Sequence, residues 1–468
     1  MKQLFYLIII FGFLACNNDP SKQSMKMNKQ PNIVIIYTDD QGYGDLSSFG
    51  SMSMKTPNID ELGSGGAKLT SFLNASSTCS PSRAALLTGS YPIRTGVINV
   101  LWPRSGGFGS GGNNNTLKGL NPNEITIAEV LKNQGYATAM SGKWHLGNEL
   151  AFLPNQQGFD TYFGIPYSND MNVENLPVML DNEIIETVPD QSLLTKRYTD
   201  FAIDFIKNTE KDQPFFLYLA HTMPHIPIFA SEDFVGKSKA SAYGDVIEEI
   251  DFNVGRIVDF LKEKNIFENT LFIYTSDNGP WLNFGSHAGS SGELRGGKFD
   301  VFEGGYRVPC VISWPTTIAP KTQIDQLVST IDLLPTICAV TGADLPANKI
   351  DGINVLDILK NKSMPELDER FYYYHKGDKL LGVRQGNWKY LAPSTYNEIK
   401  FPGEDAKPGI STWQTKFPEA LFDLDTDLRE LNNRLDDYPE KAKFLKNQLA
   451  KFQIILDNEA RPIGELER

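Results

Sequence analysis

Two short runs of this chain share a pattern that few folds accommodate. Asn32–Tyr37 reads Asn-Ile-Val-Ile-Ile-Tyr and passes through Thr38 into Asp39-Asp40. Leu271–Thr275 reads Leu-Phe-Ile-Tyr-Thr and passes into Ser276-Asp277-Asn278-Gly279. Uncharged, β-branched runs of this length are strands buried on both faces, the habit of parallel sheets. Each run delivers two oxygen-bearing side chains at its C-terminal end, the edge of an open α/β sheet where ligands bind. Neighbours on one strand point to opposite faces, so both reach one ion only where the strand breaks into a loop. Gly42 and Gly279 are placed to allow that break. Three carboxylates and an amide oxygen suit a hard cation, Ca²⁺ or Mg²⁺. Either pair alone is ordinary strand-end turn chemistry; two in one chain, with the cysteine motif below, carry the metal reading.

The rest of the first 365 residues alternates in the same manner. Thr56-Pro57 opens a helix that Gly63 stops, and Thr126-x-x-Glu129 is a capping box whose helix closes at Gly135. Tyr136–Met140, Phe215–Ala220 and Val308–Trp314 are further strands. Val246, Ile250, Val254, Ile257, Val258 and Leu261 make one apolar face of a long helix. This predicts an α/β domain over residues 31–365, with a large, mainly parallel sheet between helices. Residues 104–123, rich in Gly and Asn, predict a long surface loop. After residue 365, Phe371–Tyr374, Leu380–Arg384 and Trp388–Leu391 predict an antiparallel meander with turns at Gly377 and Gly386-Asn387, and a charged helix follows from Tyr438 to Leu456. Residues 366–468 are therefore expected to form a smaller α+β subdomain.

Cys79-Ser80-Pro81-Ser82-Arg83 runs on into Ala84-Ala85-Leu86-Leu87-Thr88-Gly89. Ser80 suits a helix N-cap, Pro81 the first helical position and Gly89 the stop. Cys79 is then expected at a helix N-terminus, where free N–H groups favour an anion. The stretch resembles the signature C-x-P-S-R then L-x-T-G of the type I formylglycine-dependent sulfatases, arylsulfatase-like members of the alkaline phosphatase superfamily. Other segments are similar to that family too: Gly142-Lys143-Trp144-His145-Leu146-Gly147, Pro224-His225-Ile226-Pro227, Gly296-Gly297-Lys298, Glu303-Gly304-Gly305-Tyr306-Arg307-Val308-Pro309, and Ile165–Asp170. They run in order over residues 31 to 315, with a looser match at Gly382-Val383-Arg384 and Trp388-Lys389.

The resemblance implies an alkaline-phosphatase-like fold and oxidation of Cys79 to 3-oxoalanine by a sulfatase-maturating enzyme. One hydroxyl of the hydrated aldehyde attacks sulfur and expels the alcohol, giving a covalent sulfo-enzyme; deprotonation of the other releases sulfate. It further implies calcium held by Asp39, Asp40, Asp277, Asn278 and the hydrate at Cys79. Arg83 holds the hydrate. Lys143 binds an oxyanion, His145 accepts the hydrate proton, and His225 stands on the leaving-group side. Lys298 binds sulfate or the bridging oxygen, Ser168 touches sulfate, and Asp277 is a second candidate base. His221 matches no family position and is expected to be structural.

The N-terminus carries Lys2 and an apolar run, Leu4 to Ala15, too short to span a bilayer. It ends in Leu14-Ala15-Cys16, which resembles a bacterial lipobox, with Phe13 where that pattern has Leu. Residues 1–15 are thus expected to be a signal peptide and residues 16–30 a polar tether lipidated at Cys16. That predicts an exported envelope lipoprotein, periplasmic or on the outer-membrane surface and membrane-anchored; an ordinary signal peptide would instead give a soluble secreted or periplasmic protein. Of the four cysteines, Cys310 and Cys338 remain, expected as buried thiols with their pairing left open.

A formal charge of −13 argues against a nucleic-acid partner, which calls for a basic face; a few cations and a metal suffice to make one pocket positive. The expected activity is hydrolysis of a sulfate ester on an oligo- or polysaccharide. Trp102, Tyr167, Trp281, His287 and His375 are candidate sugar contacts. The rival readings are a phosphate or phosphonate monoester hydrolase on the same scaffold, for which no second ligand set is found, and a glycan-binding lipoprotein without catalysis.

Overall fold

The computed structural model describes residues 30–103 and 117–466. The expected export segment and Cys16 lie outside the described residues. Ten strands form the main sheet: β1 (Asn32–Thr38), β2 (Ala67–Leu69), β3 (Ala137–Lys143), β4 (Thr161–Ile165), β5 (Pro177–Leu180), β6 (Glu183–Thr187), β7 (Phe215–Ala220), β8 (Thr270–Ser276), β9 (Cys310–Ser313) and β10 (Thr322–Ile324). Their order is β10-β2-β9-β8-β1-β7-β3-β4-β5-β6. The central run β8-β1-β7-β3-β4 is parallel, while β9 and the β5–β6 hairpin join antiparallel at the two sides.

Strand alternation divides the apolar residues between two cores. Val34 and Ile36 of β1 pack with Leu217, Leu219, Phe272 and Tyr274 under α1 (Pro57–Ser64), α4 (Leu194–Asn208) and α5 (Ser241–Glu263). Ile33, Ile35 and Tyr37 pack on the opposite face with α2 (Cys79–Thr88), α3 (Ile127–Asn133) and α6 (Leu333–Thr341). With helices on both faces, the long uncharged strands lie wholly inside, and all seven residues of β1 and of β8 are buried.

Several boundaries depart from the sequence reading. α2 starts at Cys79 with Thr78 as its extended N-cap, two residues before the Pro81 start expected behind Ser80. The Ser80 hydroxyl is used elsewhere, accepting the Leu101 N–H at 3.0 Å. Pro81 is still tolerated because the first four helical N–H groups have no partner within the helix. Gly63 lies inside α1 and does not stop it; the cap is Gly65. A Cβ at Gly63 would stand 2.9 Å from Val311 Cγ1, so this glycine lets the helix approach the sheet. Within the expected 104–123 loop, Lys118–Gly119 is a short strand paired with Gly464–Glu465; residues 104–116 are not described.

After residue 365 a four-stranded antiparallel sheet forms from β11 (Phe371–Lys376), β12 (Lys379–Gln385), β13 (Trp388–Leu391) and β16 (Ala420–Asp423), with a separate hairpin of β14 (Ser394–Phe401) and β15 (Ile410–Phe417) between the last two. β14, β15 and β16 escaped the sequence reading. The hairpin's residues are half-buried or exposed, save Asn397 and Phe417, and have no buried alternation to betray it. α7 (Pro439–Glu459) packs Ala442, Leu445, Leu449 and Leu456 against Tyr372, Tyr374, Val383 and Tyr390 of this sheet, and Phe302 and Tyr306 share the same core. Residues from Pro31 onward make one compact unit.

Candidate active site

The C-terminal ends of β1 and β8 lie side by side, with Thr38 opposite Ser276. Beyond them the Asp277 N–H donates to the Thr38 carbonyl at 3.0 Å, and the Asp40 N–H donates to Asp277 Oδ1 at 3.1 Å. Asp40 itself makes the break that lets it share a site with Asp39: its φ of 63° is left-handed, a conformation Asp tolerates better than most residues. The two glycines serve closeness and not this turn. A Cβ at Gly42 would stand 2.3 Å from the Ser290 carbonyl oxygen, and one at Gly279 only 1.8 Å from that of Gly304.

Cys79, first residue of α2, reaches this edge from the other core. Its thiol donates to Asp39 Oδ1 at 3.4 Å. One turn on, Arg83 is fully buried: Nη2 and Nε donate to Asp277 Oδ2 at 2.7 and 3.1 Å, and Nη1 to the Lys143 carbonyl at 2.7 Å. Lys143, last residue of β3, bonds through its ammonium to Asp39 Oδ2 and, at 3.0 Å, to Ser168 Oγ. Lys298 lies 2.8 Å from Asp40 Oδ1 and 2.9 Å from its Oδ2. His225 Nε2 faces Asp40 Oδ2 at 3.6 Å while its Nδ1–H donates to the Ile226 carbonyl at 2.5 Å. Asn278 donates to Asp40 Oδ1 at 2.7 Å, and its own Oδ1 is buried without a partner.

His145 sits just past β3 at φ 61°. Its Nε2 is 2.9 Å from the Leu101 carbonyl, which accepts only from N–H, so the lone pair is on Nδ1, and Nδ1 has no partner. Burial first, then the charges of Lys143 and Arg83, hold this imidazole well below its usual pKa, so it is neutral. His221 is also buried and neutral, pushed down to about 3 by burial alone, and touches none of these groups.

Charge balance tests whether a metal fits. Burial would raise the Asp39 carboxyl, but Lys143, His225, Arg83 and Lys298 together hold it well below the carboxylate range. Asp277 goes the other way, pushed up to about 7 by burial and by the Asp39 charge against the pull of Arg83. Asp277 is thus the carboxylate whose charge the buried cations match least. A divalent cation would favour its charged form, and the orphaned Asn278 oxygen would offer a further ligand. Single ligand atoms of Asp39, Asp40, Cys79 and His225 also lie within 4.8 Å of one another, the one such His/Cys/Asp/Glu group among the described residues. His225, expected only beside the leaving group, thus also touches the acidic cluster. Burial and Asp39 push the Cys79 thiol well up, so as plain cysteine it stays protonated and unreactive.

These groups close the floor of a pocket of about 400 Å³. Cys79, His145, Ser168, His225 and Lys298 line it, and so do Trp102, Trp281 and His375 among the candidate sugar contacts. Tyr167 and His287 do not. Tyr167 packs into the core, its hydroxyl 3.3 Å from Asn172 Nδ2, and His287 ends the 3₁₀ segment Leu282–His287 outside the pocket. Thr78, Asp170, Phe299 and Lys376 line the pocket without having been given a role; Asp170 closes the matched Ile165–Asp170 segment, and Thr78 and Phe299 lie beside matched motif residues, the one signal available. Cys310 and Cys338 are free buried thiols.

A family profile for sulfatases matches residues 31–343, and one for the C-terminal part of N-sulphoglucosamine sulphohydrolase matches residues 297–454. The chain is 38% identical to arylsulfatase A of Bos taurus over 443 residues, covering 88% of this chain and 85% of that protein. It is 38% identical to the N-acetylgalactosamine-6-sulfatase of Canis lupus familiaris, covering 85% and 80%. Among solved structures, the PsFucS1 sulfatase of Pseudoalteromonas sp. superposes with a TM-score of 0.79 at 26% identity, over 93% of this chain and 92% of that one. Profile, relatives and the pocket around Cys79 agree, and the chain belongs to the sulfatase family of enzymes that hydrolyse sulfuric esters.

Proposed function

We propose that this protein removes sulfate from a sulfated carbohydrate, using the hydrated aldehyde made from Cys79 as nucleophile. One observation carries the reading: Cys79 begins a helix on the floor of a pocket lined by His145, His225 and Lys298, beside Asp39, whose other oxygen accepts from Lys143. The hydrate supplies what no encoded side chain can, one hydroxyl to attack sulfur and a second whose deprotonation frees the product. The helix N-terminus, Lys143, Lys298 and Ser168 would hold the sulfuryl oxygens. Arg83, locked by Asp277 and the Lys143 carbonyl, would fix the nucleophile. His145 Nδ1 would take the proton that releases sulfate. His225 Nε2 would serve the departing alcohol, or the metal. Asp39, Asp40, Asp277 and Asn278 would hold a hard divalent ion, calcium or magnesium, whose charge would steady the sulfuryl oxygens.

A sugar is the proposed alcohol because Trp102, Trp281 and His375 offer aromatic faces and polar edges around one pocket. The N-acetylgalactosamine-6-sulfatase relative acts, by its name, on such an ester. From sequence alone we also propose the maturation partner, export on residues 1–15 and an anchor at Cys16, residue 366 opening the C-terminal subdomain; among the described residues no helix is long and apolar enough to cross a membrane.

The test is the peptide containing residue 79 after co-expression with a maturating enzyme, weighed by mass spectrometry, followed by turnover of an aryl sulfate, an aryl phosphate and sulfated oligosaccharides. Conversion of CH₂SH to CHO with sulfate release supports the reading. Preference for the phosphate would sink it. Cys79→Ala should abolish turnover, and an unconverted Cys79→Ser should stall as a sulfated protein.

A further inference from the structure

On the Lys298 side two rings of the pocket wall lead on to a third beyond its lining. Trp281 and Phe299 both line the pocket, with ring centroids 5.5 Å apart. Phe299 meets Trp413 at 5.4 Å in an edge contact, and Trp413, on β15, is 47% exposed. The Lys298 ammonium lies over Trp281 at 4.7 Å and over Phe299 at 5.7 Å, so the run begins at the residue that grips Asp40.

This arrangement is held at a cost. Phe299 has φ 74°, a region bulky residues seldom enter, with its N–H donating to the Ser77 carbonyl at 3.1 Å. Gln414, next to Trp413, has φ 102°. Such positions are strained and persist only where the surroundings impose them. The β14–β15 hairpin reaches the four-stranded sheet chiefly through Tyr396 and Phe417, and a two-stranded ribbon would be marginal alone. It is fastened to the segments that shape the site. The Asn283 carbonyl accepts from Gly403 N–H at 2.9 Å and Gly409 N–H at 2.7 Å, and Asp300 Oδ1 accepts from Asn397 N–H at 3.1 Å. The fold thus ties an exposed aromatic hairpin to the loop bearing Trp281 and to the one bearing Lys298 and Phe299.

The polar groups along this wall say what it takes. The Trp281 indole N–H is buried and has no partner. Lys376 lines the pocket, exposed, giving one of its three donors to the Thr395 carbonyl on the hairpin at 3.1 Å. A pyranose ring offers what matches all of these: a C–H face for the rings, hydroxyls for the indole N–H, and, in a polysulfated chain, an anion for Lys376. A lipid sulfate would leave the indole and the ammonium unmatched.

We propose that Trp281, Phe299 and Trp413 form a platform for the sugar that follows the sulfated residue on its leaving-group side, making Trp413 a specificity residue that favours chains over single sugars. The proposal rests on the sulfatase reading and names the substrate feature recognised. It is tested in a Cys79→Ala background, which cannot turn over, by titrating size-graded chondroitin sulfate, heparin and carrageenan oligosaccharides against tryptophan fluorescence. At least one series should bind about ten-fold tighter as the chain grows from one sugar to several, the scale of one aromatic stacking contact. W413A, checked as folded by circular dichroism, should lose that gain, and W413F should keep it to within about three-fold. No binding by any series, no gain with length, or equal length dependence in W413A overturns the platform. Residue 79 mass and aryl-sulfate turnover report on the sulfatase reading separately, so either idea can fail alone.

Discussion

Arg83 shows how much of the site is one residue's work. Its planar fork meets the Asp277 carboxylate and the Lys143 carbonyl at once, joining the ends of β8 and β3 beside the start of α2. A lysine keeps the charge but cannot span both partners. Arg83→Ala strands Asp277 in the interior and should destabilise the protein by about 3–5 kcal/mol in chemical denaturation. Arg83→Lys should lower kcat by about 100-fold with KM little changed, if its role is to hold the nucleophile; an unchanged kcat would remove it from the catalytic set. Motif spacing picked out this arginine, but gave no sign that its main partner is Asp277.

At the scale of elements, the close approaches matter most. Gly279 passes so near the Gly304 carbonyl that Gly279→Ala must push the β8 terminus away from the segment ahead of it. We expect a loss of stability of about 1–3 kcal/mol, the range for forced overpacking, and a larger fall in activity than in stability, read from kcat/KM beside a melting curve. The single helical turn Glu303–Tyr306 sets a second junction. Glu303 accepts from Tyr374 at 2.6 Å, Lys389 at 3.0 Å and Arg384 at 3.0 Å, all from the C-terminal sheet. Burial would raise its pKa, but Lys389, Arg384 and Arg307 win and bring it down to about 2 from 4.5. A depressed carboxyl stabilises above its unfolded pKa, so its contribution is full above pH 4.5 and drains away toward pH 2. Glu430, raised by burial although Lys389 draws it down, has the opposite sign and acts above 4.5. Glu303→Gln should therefore flatten the stability loss between pH 4.5 and 2 in acid-unfolding curves, an effect on the order of a few kcal/mol. The strands β1, β7 and β8 were legible because burial on both faces leaves no room for polar residues. The hairpin β14–β15 was not, because backbone pairing, anchoring to Asn283 and Asp300 and two isolated aromatic anchors, Tyr396 and Phe417, hold it without a periodic side-chain pattern. Trp413 stayed invisible for the same reason, while Phe299 betrayed itself only by following Gly-Gly-Lys.

For the whole molecule, the acidic cluster and the C-terminal sheet are tied to one stability. Asp39 and Asp277 stand 238 residues apart in sequence and meet only when the central sheet is complete. A divalent ion that binds the folded chain alone should raise the melting temperature. Calcium at 100 times its Kd contributes about 2.7 kcal/mol, and a chelator should remove it; a melting curve indifferent to both would rule out a metal held by this cluster. The position of Cys79 has one more consequence. Its residue is only 2% exposed, wedged between the helix it begins and the sheet edge. Another protein's active site cannot close around a peptide so enclosed. On the proposed chemistry, whatever converts this thiol would have to meet the chain before it closes up, leaving the cell a single interval, between synthesis and collapse, in which to arm the molecule. A copy that folded early would then stay inert for its lifetime.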